Sequence, residues 1–217
     1  MKLKLFATSG TAPQSGFWCN VFDVLLNVVV IVAVVAIIRT FIVAPFEVEG
    51  SSMISTLEDN QYIIIDKLSY FLSDPKRGDV VVFHPPPETT RDDTRKYYVK
   101  RIIALPGEDV VIQKGKVFIG RNGKETELEE AYLDERNHNH TFRTPVGTGD
   151  ETPETFHVPP GNYFLLGDNR QGSLDSRSFQ YVARGKISGR VWLVALPITK
   201  SHALETPEYR LPERAEP

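Results

Sequence analysis

From Phe17 to Ile38 the chain reads FWCNVFDVLLNVVVIVAVVAII, and from Val28 onward no polar residue interrupts it. Asn20, Asp23 and Asn27 are the only strongly polar members. A helix needs about 20 apolar residues to cross the hydrocarbon core of a bilayer. β-branched residues are poor helix formers in water, but in lipid the backbone must bond to itself, so the helix prevails. The segment therefore reads as one transmembrane helix over residues 17–39, behind a short cytoplasmic amino terminus, residues 1–16. Lys2 and Lys4 precede it, and Arg39 alone follows closely before Glu47 and Glu49. That bias favours a cytoplasmic amino end, with everything after about Thr40 outside the cytoplasm.

Two other readings stand beside the span. A cleaved signal peptide would have an apolar run of about 7–15 residues and a small-residue cleavage site. Here the run is longer, and Arg39-Thr40 interrupts first. A buried core helix would rarely lack a polar face. Cys19, at the inner edge, is either a palmitoylation site or a buried thiol. It is the only cysteine, so there is no intrachain disulfide and no Cys-rich metal site.

Over the whole chain, 41% hydrophobic and 24% charged residues exclude a wholly disordered chain, a collagen-like repeat and a polytopic membrane protein. With 25 basic against 28 acidic residues there is no basic excess to hold phosphates, so nucleic acid is not an expected partner. Short apolar runs alternate with Gly and Pro signals. Strands are expected over residues 61–67, 79–84, 97–104, 109–113, 116–119, 162–166 and 186–196. Lys114-Gly115 reads as a hairpin turn. The run from Val191 to Ile198 is too short to span and reads as a core strand. The fold class is mainly β: an antiparallel-sheet or barrel-like domain over residues 40–200, then a tail, residues 201–217. Between about residues 120 and 157 the composition turns polar, marking a flap or small subdomain, partly mobile. His138 and His140 there could share a strand face and bind a metal, but no third ligand stands at a defined spacing, so a solvated loop is the preferred reading and no metal or cofactor is expected.

Histidine has no obvious catalytic setting, so a Ser-His-Asp triad is not the natural reading. A neutral lysine is the other base a serine can use, and it needs burial to lower its pKa. Lys100 lies in the run YYVKRIIAL, where alternation puts Tyr98, Lys100 and Ile102 on one face and Val99, Arg101 and Ile103 on the other. On pattern alone such a lysine more often snorkels to solvent. Glu49-Gly50-Ser51-Ser52-Met53 follows the span within about a dozen residues; Gly50 permits a turn that exposes a serine and aims N–H groups inward. The plain alternative is a polar turn.

Together these residues resemble the type I signal peptidases, the membrane-anchored Ser-Lys leader peptidases of the S26 family. Arg39-Thr40-Phe41, Val48 to Met53 and Thr56-Leu57 resemble their serine box. Lys76 to Phe83 resembles a strand box, and Tyr98 to Glu108 the lysine box. Val158 to Gly161 and Gly167 to Arg177 resemble the last box. The ordered blocks cover the chain from about residue 39 to 196. Two positions depart. Ser55 stands where the serine box commonly has proline, which frees one φ angle and should soften the loop. Gly50 stands where some relatives place a serine that helps hold the oxyanion. The short segment before the last box resembles the smaller enzymes of Gram-positive and related bacteria.

The resemblance implies Ser52 as nucleophile and Lys100 as general base. It implies oxyanion support from the Ser52 N–H and the backbone of Gly50 and Ser51, and Ser173 orienting the Lys100 amine. Asp175 and Arg177 would pair, and Asp168 and Arg170 would brace the loop. The implied activity is removal of signal peptides from exported preproteins after Ala-x-Ala-like sites, with the peptide bound as an added strand. The implied setting is the outer face of the plasma membrane, single-pass, near the export translocon, where Phe41, Ile42, Val43 and Phe46 would rest in the lipid interface. A self-cleaving Ser-Lys protease and a non-catalytic anchored binding module on the same fold are the alternatives.

Overall fold

The computed structural model describes residues 17–86, 97–121, 123–142 and 152–209. Lys2, Lys4 and parts of the polar excursion and tail lie outside the described residues, as does the side chain of Cys19. The chain divides into two compact units, with the boundary between Thr40 and Phe41. The first holds helix α1, Phe17–Ile37, and a π-helical turn, Ile38–Ile42, runs through the boundary. Val21–Ile42 is long and apolar enough to cross a membrane, and none of it is buried by the protein.

The second unit is mainly antiparallel β. One sheet has the order β1 (Val43–Glu47), β2 (Tyr62–Asp66), β11 (Ile187–Leu196), β3 (Val80–Phe83), β4 (Tyr98–Ala104), β9 (Asn162–Leu166) and β10 (Val182–Ala183). β12 (His202–Ala203) also pairs with β11. A second sheet runs β7 (Lys124–Glu127), β6 (Lys116–Arg121), β5 (Asp109–Gln113) and β8 (Glu154–His157). Short helices α2 (Ser69–Leu72) and α3 (Ser176–Phe179) lie between the strands. Register shifts in β11 and β4 bend the first sheet into a partial curl, because each adds a residue on one strand only.

The strands carry unbroken apolar runs because several are buried on both faces. Val80 and Val82 of β3 pack with Met53, Leu57, Ile63 and Val191. Val81 and Phe83 face the other way, onto Ile102, Leu165 and Ile187. A third cluster joins the two sheets: Ile103 and Phe164 from the first meet Val110, Val117, Ile119 and Phe156 of the second. Lys114 and Gly115, with φ of 52° and 75°, make the two-residue turn of the β5–β6 hairpin. The polar excursion contributes β7, β8 and the buried Leu128, Glu130 and Thr141. The Val43–Phe46 stretch forms β1 against β2 and buries Ala44, while Phe41 is exposed.

Phe164 is fully buried in the cluster that joins the sheets. Phe164→Ala should lower the unfolding free energy by about 3–5 kcal/mol through lost burial and a residual cavity, measured by denaturant titration in detergent.

Candidate active site

The serine loop leaves β1 and returns to β2 through two ties, Val48 N–H to Gln61 O at 2.8 Å and Asn60 N–H to Val48 O at 2.9 Å. Met53 and Leu57 anchor it in the core. Thr56 and Leu57 N–H both donate to Met53 O at 2.8 Å, which closes the turn. Gly50 has φ of +90°, and its N–H donates to Asp59 Oδ1 at 2.7 Å. Among the described residues, the N–H groups of Ser51 and Ser52 have no hydrogen-bond partner. From the other side Asn169 holds the loop: its N–H donates to Ser52 O and its Nδ2 to Ser51 O, each at 3.0 Å. Gly167 lets the two segments meet. A Cβ there would stand 2.1 Å from Ser173 Oγ and 2.5 Å from Ser52 O, so no side chain fits.

Lys100 lies in β4, opposite Val81 of β3, and is 4% exposed. Its Nζ donates to Ser52 Oγ at 2.6 Å and to Val99 O at 2.8 Å. The Tyr98 ring centroid is 5.6 Å away. Burial brings the Lys100 amine from 10.5 down to about 8; Asp175 and Asp168 oppose this and Arg177 assists it. Ser52 and Lys100 sit in a groove of about 480 Å³ whose lining includes Phe46, Val48, Met53, Tyr97 and Leu174.

Buried ion pairs surround the two residues. Arg101, on the face opposite Lys100, donates from Nη2 to Asp168 Oδ2 at 2.7 Å and from Nε to Oδ1 at 2.9 Å. Asp168 also accepts from Thr56 Oγ1 of the serine loop. Burial pulls the Arg101 guanidinium down, but Asp168 outweighs it and holds the group protonated more firmly than usual. Asp175 caps α3 and accepts from Arg177 Nη2 at 2.7 Å and Nε at 2.8 Å. Burial pushes the Asp175 carboxyl up, yet Arg177 and the Gly167 N–H prevail and leave it below its ordinary range. Arg77 reaches both oxygens of Glu108 at 2.7 and 2.6 Å, tying the turn before β3 to the turn after β4.

Among the residues singled out in the sequence, the structure brings Ser52 together with Lys100 and Asp175 together with Arg177. Two others, Ser173 and Gly50, make other contacts than the resemblance implies. Ser173 is buried but does not bond the Lys100 amine, whose second partner is Val99 O. The Ser173 hydroxyl lies near Asp175 and helps keep it ionised, yet has no hydrogen bond of good geometry. Gly50 contributes no free N–H, because Asp59 takes it. Asp168 and Arg170 brace the loop through long-range partners, Asp168 through Arg101 and Arg170 through Glu130, Tyr132 and Thr141. The motifs alone point to no role for Arg101, Thr56, Asn169, Glu130 or Tyr132, which the structure brings into the bracing. An arginine within an apolar strand run was the one available signal, since a buried guanidinium requires a carboxylate.

The family model "Signal peptidase, peptidase S26" matches residues 21–196. Signal peptidase I of Bacillus caldolyticus is 39% identical over 166 residues, which are 75% of this chain and 84% of that protein. Signal peptidase I of Leptolyngbya laminosa is 36% identical over 172 residues, 78% of this chain and 77% of that one. A crystal structure of a signal peptidase I from Enterococcus faecalis V583 is 32% identical and covers 55% of this chain and 97% of its own, with a TM-score of 0.41. The chain belongs to the signal peptidase family S26, and is a protease that removes signal peptides.

The site carries two stability predictions. Below pH 8 the Lys100 amine is charged in both the folded and the unfolded chain, so the fold bears the full cost of burying it. Between about 8 and 10.5 the folded chain loses the proton first, and stability rises with pH. The span is worth about 3 kcal/mol. Lys100→Met should therefore be more stable than wild type at pH 7, with its advantage shrinking by about that amount up to pH 10.5 in denaturant titrations. Arg101→Met should cost about 3–5 kcal/mol, since it strands the Asp168 carboxylate, and adding Asp168→Leu should recover part of the loss.

Proposed function

We propose that this chain cleaves exported preproteins with Ser52 as nucleophile and Lys100 as general base. The observation that carries the reading is the 2.6 Å contact between a buried amine and the serine hydroxyl. Neutral Lys100 takes the proton from Ser52 Oγ as it attacks the scissile carbonyl. The Ser52 N–H, aided by that of Ser51, faces the developing oxyanion; one such donor is typically worth about 3 kcal/mol. Lys100 then returns the proton to the leaving amine, and a water repeats the cycle to free the acyl-enzyme. Asp175 with Arg177, and Asp168 with Arg101, hold the walls of the site.

On this reading the substrate is an extended peptide with small side chains near the scissile bond, as an Ala-x-Ala-like site provides. Tyr98, Val99 and Lys100 pair with β3, whereas the pairing of β4 with β9 begins only at Arg101. The open flank of these three residues can take a peptide as an added strand. The apolar helix Val21–Ile42 anchors the chain in the plasma membrane with the amino end inside and the peptidase unit outside, beside the export translocon, where the cleavage site emerges.

Cleavage of a preprotein bearing an Ala-x-Ala site by detergent-solubilised protein tests the reading. Ser52→Ala and Lys100→Ala, each folded, should lose at least about 1,000-fold in rate. The wild-type kcat/KM should rise with pH through about 8, and at pH 6 should stand about 100-fold below its alkaline plateau. Residual cleavage near the wild-type rate in either variant would overturn the assignment.

A further inference from the structure

The family match ends at Leu196, but the described chain continues to Tyr209. After β12 it passes from β11 to the turn before β3. Leu204 N–H donates to Trp192 O at 2.9 Å, and the Leu204 side chain packs on the cluster that holds Met53 and Leu57. Thr206 Oγ1 donates to Asp79 Oδ1 at 2.9 Å. The next contacts fall on Gly78, whose φ is +87°. A Cβ there would stand 2.8 Å from Tyr209 Cε2 and 3.1 Å from Pro207 Cδ, so the segment lies directly against the Gly78 backbone.

That backbone belongs to the bracing of the serine loop. Gly78 O accepts from Arg101 Nη1 at 2.8 Å. The same guanidinium carries Asp168 and donates from Nη2 to Thr56 Oγ1 at 3.2 Å. It lies 4.0 Å from the Tyr132 ring centroid. Tyr209 packs on the cluster that joins the sheets, close enough to Arg101 for the two to interact; burial pushes its hydroxyl up to about 12 while Arg101 pulls it down. Gly78 and Tyr132 thus contact the guanidinium, and Tyr209 lies against Gly78.

We propose that residues 204–209 form a strap that positions the Ser52–Lys100 pair, with Tyr209 as its key positioning residue. The proposal rests on the Ser52 and Lys100 roles given above. The strap excludes water from the Arg101–Asp168 pair, and an ion pair holds its geometry far more firmly when dry. Asp168 fixes Thr56 on one side, and Asn169 next to it fixes the Ser51 and Ser52 carbonyls on the other. Wetting the pair loosens both ties, and an error of about 1 Å between nucleophile and base costs about 100-fold in rate.

The test compares full-length chains and two truncations in detergent, using the same preprotein. A chain ending at Tyr209 is the reference for one ending at Leu204. The shorter chain and Tyr209→Ala should lose about 10- to 100-fold in kcat with KM changed less than about threefold. The pH profile should move upward as water reaches the site. Tyr209→Phe should keep wild-type kcat, because the ring and not the hydroxyl fills the contact. Tyr209→Leu, which keeps apolar bulk, should show a several-fold loss and serves if the alanine variant does not fold. Unchanged kcat in folded Tyr209→Ala or Tyr209→Leu would overturn the proposal. So would a loss that only tracks the unfolded fraction, with the pH profile unmoved. Retained cleavage in Ser52→Ala would instead sink the nucleophile assignment, whatever the strap variants do.

Discussion

An amine can serve as a base near neutral pH only where water is kept from its charged form. The strands and apolar clusters around Lys100 meet that condition. β4 is flanked by β3 along the whole stretch that carries Lys100, and clusters of Val, Ile and Met fill the space on either side. Lys100 lines the groove, and there its amine meets Ser52 Oγ. The cost of this burial falls on the fold, which must be stable enough elsewhere to carry a group that would gain by unfolding at neutral pH. Three apolar clusters in one β unit supply that margin, each fully buried Val, Leu, Ile or Phe contributing about 1.5–3 kcal/mol.

The ion pairs are harder to account for as stabilisers. Arg77–Glu108, Arg101–Asp168, Arg170–Glu130 and Arg177–Asp175 are all buried, and such pairs roughly break even against apolar packing of the same shape. What they contribute is geometry. Arg77–Glu108, Arg101–Asp168 and Arg170–Glu130 connect segments distant in sequence, Arg177–Asp175 closes the cap of α3, and each uses the planar, forked guanidinium, which fixes direction as well as distance. The serine loop, the turn before β3 and the segment around Gly167 have little regular structure of their own. They are held in register by Arg101, Arg77 and Arg177, and by Asn169 reaching across to Ser51 and Ser52.

Most of the strand positions were legible because apolar runs broken by Gly and Pro allow few other readings. The β5–β6 hairpin was legible for the same reason, from Lys114-Gly115 alone. β1 was not, because Pro45 and the proximity of the apolar helix made Val43–Glu47 look like a membrane-adjacent stretch. β7 and β8 were hidden by polar composition, being edges of a small sheet with one face in water. The Ser52–Lys100 relation could be read only through the ordered motifs, since 48 residues separate the two and periodicity carries no information across such a gap. The partners of Asp168 and Arg170 were beyond reach for a related reason. A turn with Asp and Arg two apart reads as a local pair, whereas folding sends each side chain to a different strand or loop.

The electrostatics explain why those arginines are needed. Two carboxylates, Asp175 and Asp168, stand near enough to Lys100 to raise its pKa and keep it charged. Without them the loop after β9 would lose its N-cap and its hold on Thr56. The carboxylates are therefore structurally useful and chemically harmful, because each favours the protonated amine. Pairing each with a guanidinium resolves the conflict. Arg177 lowers the Lys100 pKa directly while keeping Asp175 ionised. Arg101 takes both oxygens of Asp168 on the far side of β4, so that carboxylate presents a neutralised pair to the amine. Desolvation then remains the largest influence on Lys100. On this argument the two arginines matter to the proposed base as charges, and a neutral side chain of equal volume in place of either would leave the shape of the groove while returning Lys100 toward its ordinary, protonated state.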